Sequence, residues 1–168
     1  MSQQKFLLRV GADRIVGLLD RPRAYCSQHA TMTVMVFDTA HPDGPRFGVY
    51  TSDTSLHWVT LPGQWHSTDK LMPTFLRLLK NHHLTLYDVD CILVVPGPGS
   101  FTAVRAGVVW ANALGFSRSI PVREISRVVA EQPLTEQSVK RILKTRGRLI
   151  RPLYGAEPRI SKQKQALR

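Results

Sequence analysis

Residues 97–107 read Gly97-Pro98-Gly99-Ser100-Phe101-Thr102-Ala103-Val104-Arg105-Ala106-Gly107, and they follow an apolar run, Ile92 to Val95, with the length of a buried strand. Closely spaced glycine and proline predict a sharp turn in which the backbone can approach another surface. Ser100 is in position to cap a helix that starts at Phe101. The stretch therefore predicts a strand, a tight turn and a helix in succession.

Three apolar runs upstream of this turn have the pattern of further strands. Val34 to Phe37 is apolar throughout and is suited to a central strand that is buried on both faces. Phe47 to Thr51 and Leu56 to Leu61 follow, joined at the turn-like Ser52-Asp53-Thr54. These three runs predict an antiparallel meander.

Capping residues and apolar spacing predict three helices. The first extends from Asp69 to about His82, with Pro73 in its first turn. The second extends from Phe101 to about Ser117, and Gly115 and Pro121 are expected to bound its end. The third starts at Thr135 with Glu136 and extends to about Arg146.

Val122 to Ser126, between the second and third helices, has the pattern of a short strand. Three antiparallel strands followed by alternating helices and strands make an α/β fold. The order is that of a single ribonuclease-H-like half-domain, as in the actin and sugar-kinase group. We expect residues 1–31 to be an N-terminal extension of low order, residues 32–130 to form the domain, and residues 131–168 to form a C-terminal helix and basic tail.

Composition restricts the class of protein. The chain has 168 residues, 43% of them hydrophobic, which is enough for a packed core, and a formal net charge of +11. Two scattered cysteines, Cys26 and Cys91, and the lack of a membrane-length apolar run predict a cytoplasmic protein. From Lys140 onward basic residues greatly outnumber acids. They could contact nucleic-acid phosphates or an acidic partner, or form a solvated terminus; five stand out: Lys140, Arg141, Lys144, Arg146 and Arg148.

Residue patterns for catalysis are weak. No Gly-Lys-Ser/Thr follows the glycine-rich turn, so it is not a P-loop. The adjacent rings of His82 and His83 point in different directions on a helix, and Cys91 is expected to be buried and inert. Asp38 stands where actin-like ATPases place an acid that faces phosphate or metal, but a turn-forming role at a strand end is favoured. We therefore predict no catalytic residue, no metal site and no cofactor.

The first and second helices carry more apolar surface than one sheet can cover. A helix that is apolar nearly all round must be covered on two sides, and small residues allow a partner helix to approach closely. The N-terminal extension or the third helix could instead cover this surface internally. The apolar residues form stripes along each of the two helices. The partner-binding residues predicted from these stripes are Leu76, Leu79, Ala103, Ala106, Gly107, Trp110, Ala113 and Leu114.

Residues 97–107 resemble the signature of the TsaB/TsaD family, also called the glycoprotease-like family. The signature turn positions are Gly97, Pro98, Gly99, Ser100, Phe101, Thr102 and Arg105; Ala103 replaces a usual glycine and Ala106 a larger apolar residue. Phe37-Asp38-Thr39-Ala40 resembles the family's opening strand, and Pro152-Leu153-Tyr154 resembles its closing residues. The resemblance extends over about Thr33 to Ser126 and indicates the TsaB branch, shortened to about its N-terminal half.

The resemblance implies a non-catalytic scaffold subunit of the machinery that makes N6-threonylcarbamoyladenosine (t6A) at position 37 of tRNA. It implies a TsaD-like catalytic subunit as the partner, bound through the first and second helices, with a TsaE-like ATPase and tRNA as further candidate partners. Two alternatives stay open. One is a stand-alone nucleotide- or RNA-binding domain that uses the basic tail. The other is a degenerate homodimer without a role in modification.

Overall fold

A computed structural model describes residues 31–61, 68–145 and 149–155. The expectations for residues 1–30 and for Arg146 and Arg148 lie outside the described residues. None of the described helices is long and apolar enough to cross a membrane.

Five strands form one sheet. They are β1 (Thr33–Asp38), β2 (Arg46–Thr51), β3 (Thr54–Thr60), β4 (Cys91–Val94) and β5 (Val122–Glu124), in the spatial order β3-β2-β1-β4-β5. The first three pair antiparallel, and β4 and β5 are parallel to β1. This mixed order, with a meander followed by parallel strands, is that of a ribonuclease-H-like half and confirms the predicted fold class.

The helices follow the sequence pattern closely, with one addition. A single 3₁₀ turn (Thr68–Lys70) leads into α1 (Leu71–Asn81), so that Pro73 lies in the first turn of the helix. The second predicted helix is α2 (Phe101–Arg118), and the third is α4 (Glu136–Leu143), which Thr135 caps together with Ser138. The short α3 (Arg127–Ala130), capped by Ser126, was not predicted.

α2 passes through Gly115 and ends one residue beyond the predicted end at about Ser117. The helix continues to Arg118, and Ser119 adopts the left-handed conformation of a C-terminal cap. A Cβ atom on Gly115 would lie 2.2 Å from Cγ2 of Val122, so this glycine allows the helix to pack against β5. Close packing, rather than helix termination, accounts for this glycine.

The sheet has a hydrophobic core on each face. One core contains Met35, Phe37 and Ile92 with residues of α1 and α2, and the other contains Val34, Val36 and Leu93 with residues of α3 and α4. Alternation along β1 sends successive side chains to opposite cores. Because both faces are covered, β1 and β4 are buried throughout, as continuous apolar runs predict.

Candidate functional site

The glycine-rich turn lies against a segment from the C-terminal part of the chain, residues 149–155, which we call the strap. Gly97 has a φ of 129°, and a Cβ atom on it would lie 2.0 Å from the carbonyl oxygen of Leu153. The backbone N–H of Leu153 donates to the carbonyl oxygen of Pro96 at 2.7 Å. Gly99 is also closely packed, because a Cβ atom on it would lie 2.4 Å from Cβ of Ala40. The surface that the turn was expected to approach therefore belongs to this chain.

The strap is also fastened to α2. The side-chain amide of Asn112 donates to the carbonyl oxygen of Ile150 at 2.9 Å, and its oxygen accepts from the N–H of Ile150 at 3.2 Å. Ile150 itself is buried. The rings of Phe101 and Tyr154 stack with centroids 4.7 Å apart, and the Arg105 guanidinium lies 5.0 Å from the Phe101 ring centroid. The strap thus contacts α2 at Asn112, in the second half of the helix, and at Phe101, its first residue.

The signature residue that precedes α2 does not cap this helix with its side chain. Ser100 occupies the N-cap position with extended backbone angles, but its hydroxyl makes no capping hydrogen bond, unlike the prediction. Thr102 is exposed. Pro98 contributes its carbonyl oxygen, which accepts from Nη2 of Arg127 at 3.2 Å. The turn is therefore held by backbone packing and by an arginine from α3.

Asp38 is the centre of a buried ion-pair cluster at the end of β1. Its carboxylate is fully buried and accepts from Arg127, with Nε 3.2 Å from Oδ2 and Nη2 3.2 Å from Oδ1. Arg46 donates to Oδ2 as well, at 3.1 Å from Nη2, and also lies 3.5 Å from Glu131. Both carboxylate oxygens are therefore engaged by arginines, and Arg127 ties Asp38 to the signature turn.

The inner side of α2 is packed against the end of β1. A Cβ atom on Gly107 would lie 2.1 Å from Oγ1 of Thr39, and this hydroxyl donates to the carbonyl oxygen of Ala103 at 2.7 Å. Leu114 on the same helix and Leu79 on α1 are also buried. Four of the predicted partner-binding residues, Leu79, Ala103, Gly107 and Leu114, are therefore used in the chain's own packing.

Trp110 joins the two helices. Its ring lies 5.0 Å from the ring of Phe75 in α1, 5.1 Å from Phe37 and 5.4 Å from Phe47, centroid to centroid. Aromatic pairs at these distances add to the stability given by buried area. Trp110 was predicted to face a partner, and the structure uses most of its surface to hold α1 and α2 on one face of the sheet.

The outer side of the two helices keeps exposed apolar residues. Met72 and Leu76 of α1 are 42% and 47% exposed, and Val109 and Phe116 of α2 are 60% and 76% exposed. Ala113 is exposed and Ala106 half-buried on the same side of α2. Several large apolar side chains exposed on neighbouring helices are typical of interaction surfaces. We call these six residues the outer helix face.

Histidines and cysteine give no catalytic arrangement among the described residues. Nε2 of His82 lies 3.3 Å from Nδ1 of His57 on β3, a pairing that sequence spacing does not reveal. Burial, followed by repulsion from His57 and His83, lowers the pKa of His82. Burial raises the pKa of the Cys91 thiol to about 12, so it stays protonated at neutral pH. Within the described ranges no three His, Cys, Asp or Glu side chains form a group suited to a metal ion.

Three of the predicted basic residues are described: Lys140 and Arg141 lie in α4, and Lys144 is its C-terminal cap. Lys140, Arg141 and Lys144 are all exposed and lie opposite the buried Val139 on the helix. Lys140 forms an ion pair with Glu136 one turn earlier. The exposed side of α4 is therefore basic, on the sheet face opposite to α1 and α2.

The sheet order, the turn after β4 and the acid at the end of β1 together define an actin-like, ribonuclease-H-like half-domain. Comparison with known proteins narrows this class. The profile of the family described as "TsaD: tRNA N6-adenosine threonylcarbamoyltransferase" matches residues 63–136. TsaB of Bacillus subtilis is 32% identical over 96 residues, which is 56% of this chain and 41% of that protein. Over about half of its length the chain is therefore similar to TsaB proteins, in agreement with the resemblance seen in its sequence.

Two further relatives align with this chain over similar shares of their own length. An uncharacterized protein of Mycobacterium tuberculosis is 37% identical over 92 residues, 54% of this chain and 43% of that protein. The solved structure of YeaZ from Pseudomonas aeruginosa aligns with a TM-score of 0.49 and 27% identity, over 56% of this chain and 44% of that chain. The chain thus aligns with less than half the length of each of these relatives.

Proposed function

We propose that this chain is an accessory, non-catalytic subunit in t6A biosynthesis, and that it binds a TsaD-like catalytic subunit through the outer helix face. The similarity to proteins named TsaB supports the biosynthetic role. The observation that carries the binding mode is the set of large apolar residues exposed on α1 and α2, among them Leu76, Val109 and Phe116. Burying one large apolar side chain contributes about 1.5–3 kcal/mol of transfer free energy, so a few such residues are enough to hold a helix pair.

The ion pairs that Asp38 forms favour an accessory role over a catalytic one. In this chain Arg46 and Arg127 engage both of its oxygens, and Arg127 also donates to backbone oxygens of Ala40 and Pro98. An acid so placed stabilises the fold of the signature turn. The proposal assigns threonylcarbamoyl transfer to the partner subunit.

Ala113→Glu tests the interface, because Ala113 is exposed and the substitution should leave the monomer folded. An unpaired charge buried in a contact costs several kcal/mol, so the variant should not assemble with a co-expressed TsaD-family subunit on size-exclusion chromatography. Ala106→Glu should have the same effect with some loss of monomer stability, since Ala106 is half-buried against the core. Gln137→Glu, on the exposed side of α4, is the matched control and should assemble normally.

Two results would contradict this proposal. One is normal assembly of both alanine variants, which would mean that the outer helix face is open to solvent in the complex. The other is transfer of a threonylcarbamoyl group to tRNA by the purified chain without a partner. A homodimer of this chain that is likewise broken by Ala113→Glu, with no binding to TsaD, would favour the homodimeric alternative.

We infer a second role for this chain, which is contact with tRNA through basic residues at α4. Arg141 and the C-terminal cap residue Lys144 are exposed, and neither forms an ion pair with an acid among the described residues, as Lys140 does with Glu136. Neutralised phosphates release counterions, and each contributes a slope of about −0.9 to log affinity against log salt on duplex nucleic acid. The double variant Arg141→Glu, Lys144→Glu should weaken tRNA binding by the complex and flatten this slope, while assembly is kept. Unchanged affinity and slope would mean that these residues are only solvated.

A further inference from the structure

A groove lies between the C-terminal half of α1, the loop of residues 83–87 and the C-terminal end of α2. Its volume is about 700 Å³, and leucines form its floor: Leu76, Leu79, Leu84 and Leu86. This volume is within the range of sites that hold a small ligand or the anchoring side chains of a peptide. Leu76 belongs to both the groove and the outer helix face, so the two surfaces are continuous.

The rim of the groove is cationic. Lys80 and Arg118 line it, and the Arg118 guanidinium lies 3.8 Å from the ring centroid of Tyr87, which is 60% exposed. None of the described residues that line the groove is acidic. Asp88, the nearest acid in sequence, accepts from the N–H and hydroxyl of Thr85 at 2.7 Å. The groove thus offers an apolar floor beside two cations whose charge is not matched within its lining.

Charge argues against this chain as the occupant. Residues 1–30 contain five basic and two acidic residues, and residues 156–168 contain four basic residues and one acid. A second copy would bring the same net charge of +11. Like charges brought together across an interface are unfavourable, whereas an acidic segment would be attracted to the rim.

We propose that this groove binds an acidic, amphipathic segment of a second protein, with leucine-like anchors on the floor and carboxylates at Arg118 and Lys80. The inference rests on the proposed function in that it names the chemistry of the partner that meets the outer helix face. Arg118 would exchange part of its contact with Tyr87 for a carboxylate, which is the geometry that a guanidinium recognises best. The groove then adds selectivity for an acidic partner to an otherwise apolar contact.

The test uses the full chain and two synthetic peptides. The probe is a fluorescein-labelled 14-residue peptide with leucines at helical spacing and glutamates between them, and its control carries lysine in place of each glutamate. Fluorescence anisotropy at low salt should show binding of the glutamate peptide and none of the lysine peptide. Arg118→Glu and Lys80→Glu should each weaken binding by about tenfold, and Arg118→Gln by less. Arg151→Glu, an equal charge change on the exposed strap, should leave binding unchanged.

Two outcomes would overturn the inference: equal binding of both peptides, or unchanged binding in the Arg118 and Lys80 variants. Binding of a TsaD-family subunit is measured in parallel, so that failure of the groove inference can be distinguished from failure of the proposed function. If Ala113→Glu abolishes that binding and neither Arg118→Glu nor Lys80→Glu alters it, the groove inference is wrong and the interface stands. If the peptide results hold and no TsaD-family subunit binds, the groove stands and the proposed function is wrong.

Discussion

The two sides of α2 use small residues for different purposes. On the inner side, Gly107 is small because Thr39 would collide with any side chain there. On the outer side, Ala113 is small although it is exposed and nothing among the described residues requires its size. A small residue on a helix can therefore mark a contact within the chain or a place where a partner could approach. Burial distinguishes the two, and sequence spacing does not.

The largest expected loss of stability is at Asp38, the buried acid at the end of β1. Asp38→Asn leaves Arg127 without its carboxylate partner and leaves Arg46 with Glu131 alone, although only 21% and 11% of the two arginine side chains are exposed. Breaking a buried pair in this way costs about 3–5 kcal/mol, so the free energy of unfolding should fall by that amount in urea denaturation. Asp43→Asn, an exposed acid in the turn after β1, should change it by less than about 0.5 kcal/mol. Equal effects of the two substitutions would mean that the buried cluster does not support the fold.

Gly107→Ala should lower the free energy of unfolding by less than Asp38→Asn does. Whether the substitution destabilises or stabilises the fold shows how tightly α2 is packed at this position. In an open helix position, replacing glycine by alanine stabilises by about 1 kcal/mol. Here the added Cβ meets Thr39, and overpacking should lower the free energy of unfolding by about 1–3 kcal/mol. Thr39→Ala in the same chain removes the atom in closest contact and should recover part of the loss, as a double-mutant cycle would measure. A stabilised Gly107→Ala variant would show that the inner side of α2 is loosely packed.

The smallest expected effect is the pH dependence from His82. Its folded-state pKa is lowered, so protonation favours the unfolded state. The stability that His82 contributes is complete above its unfolded pKa of about 6.5 and declines as the pH falls below that value. Wild type should therefore lose more stability between pH 7.5 and pH 5.5 than His82→Gln does. Parallel losses in the two proteins would assign the pH dependence to other groups.

Much of the fold follows from local patterns. All five strands and the three longer helices are predicted within a few residues, because buried apolar runs, Thr135 as a cap and Pro73 in a first turn are local signals. The short α3 was missed because its four residues have no period to detect, and its main contribution is long-range: Arg127 reaches Asp38, 89 residues away.

The site was less predictable than the fold. The glycine-rich turn correctly indicated a close approach of the backbone, but only the structure identifies the strap as the surface approached. The apolar stripes predicted a helix covered on two sides, yet spacing could not separate the buried Leu114 from the exposed Ala113 one position before it. The pairing of His57 with His82 joins a strand and a helix end, and only tertiary structure brings these together.

Thiol labelling tests most directly the central claim that the outer helix face is the partner contact. In a Cys26→Ser background, with Cys91 buried, single cysteines replace Met72, Phe116 or, as the control on α4, Gln137. Adding the TsaD-family subunit should slow labelling at positions 72 and 116 by at least about tenfold, because burial excludes the reagent, and leave position 137 unchanged. Unchanged labelling at both 72 and 116 in the complex, or protection at 137 alone, would contradict the account.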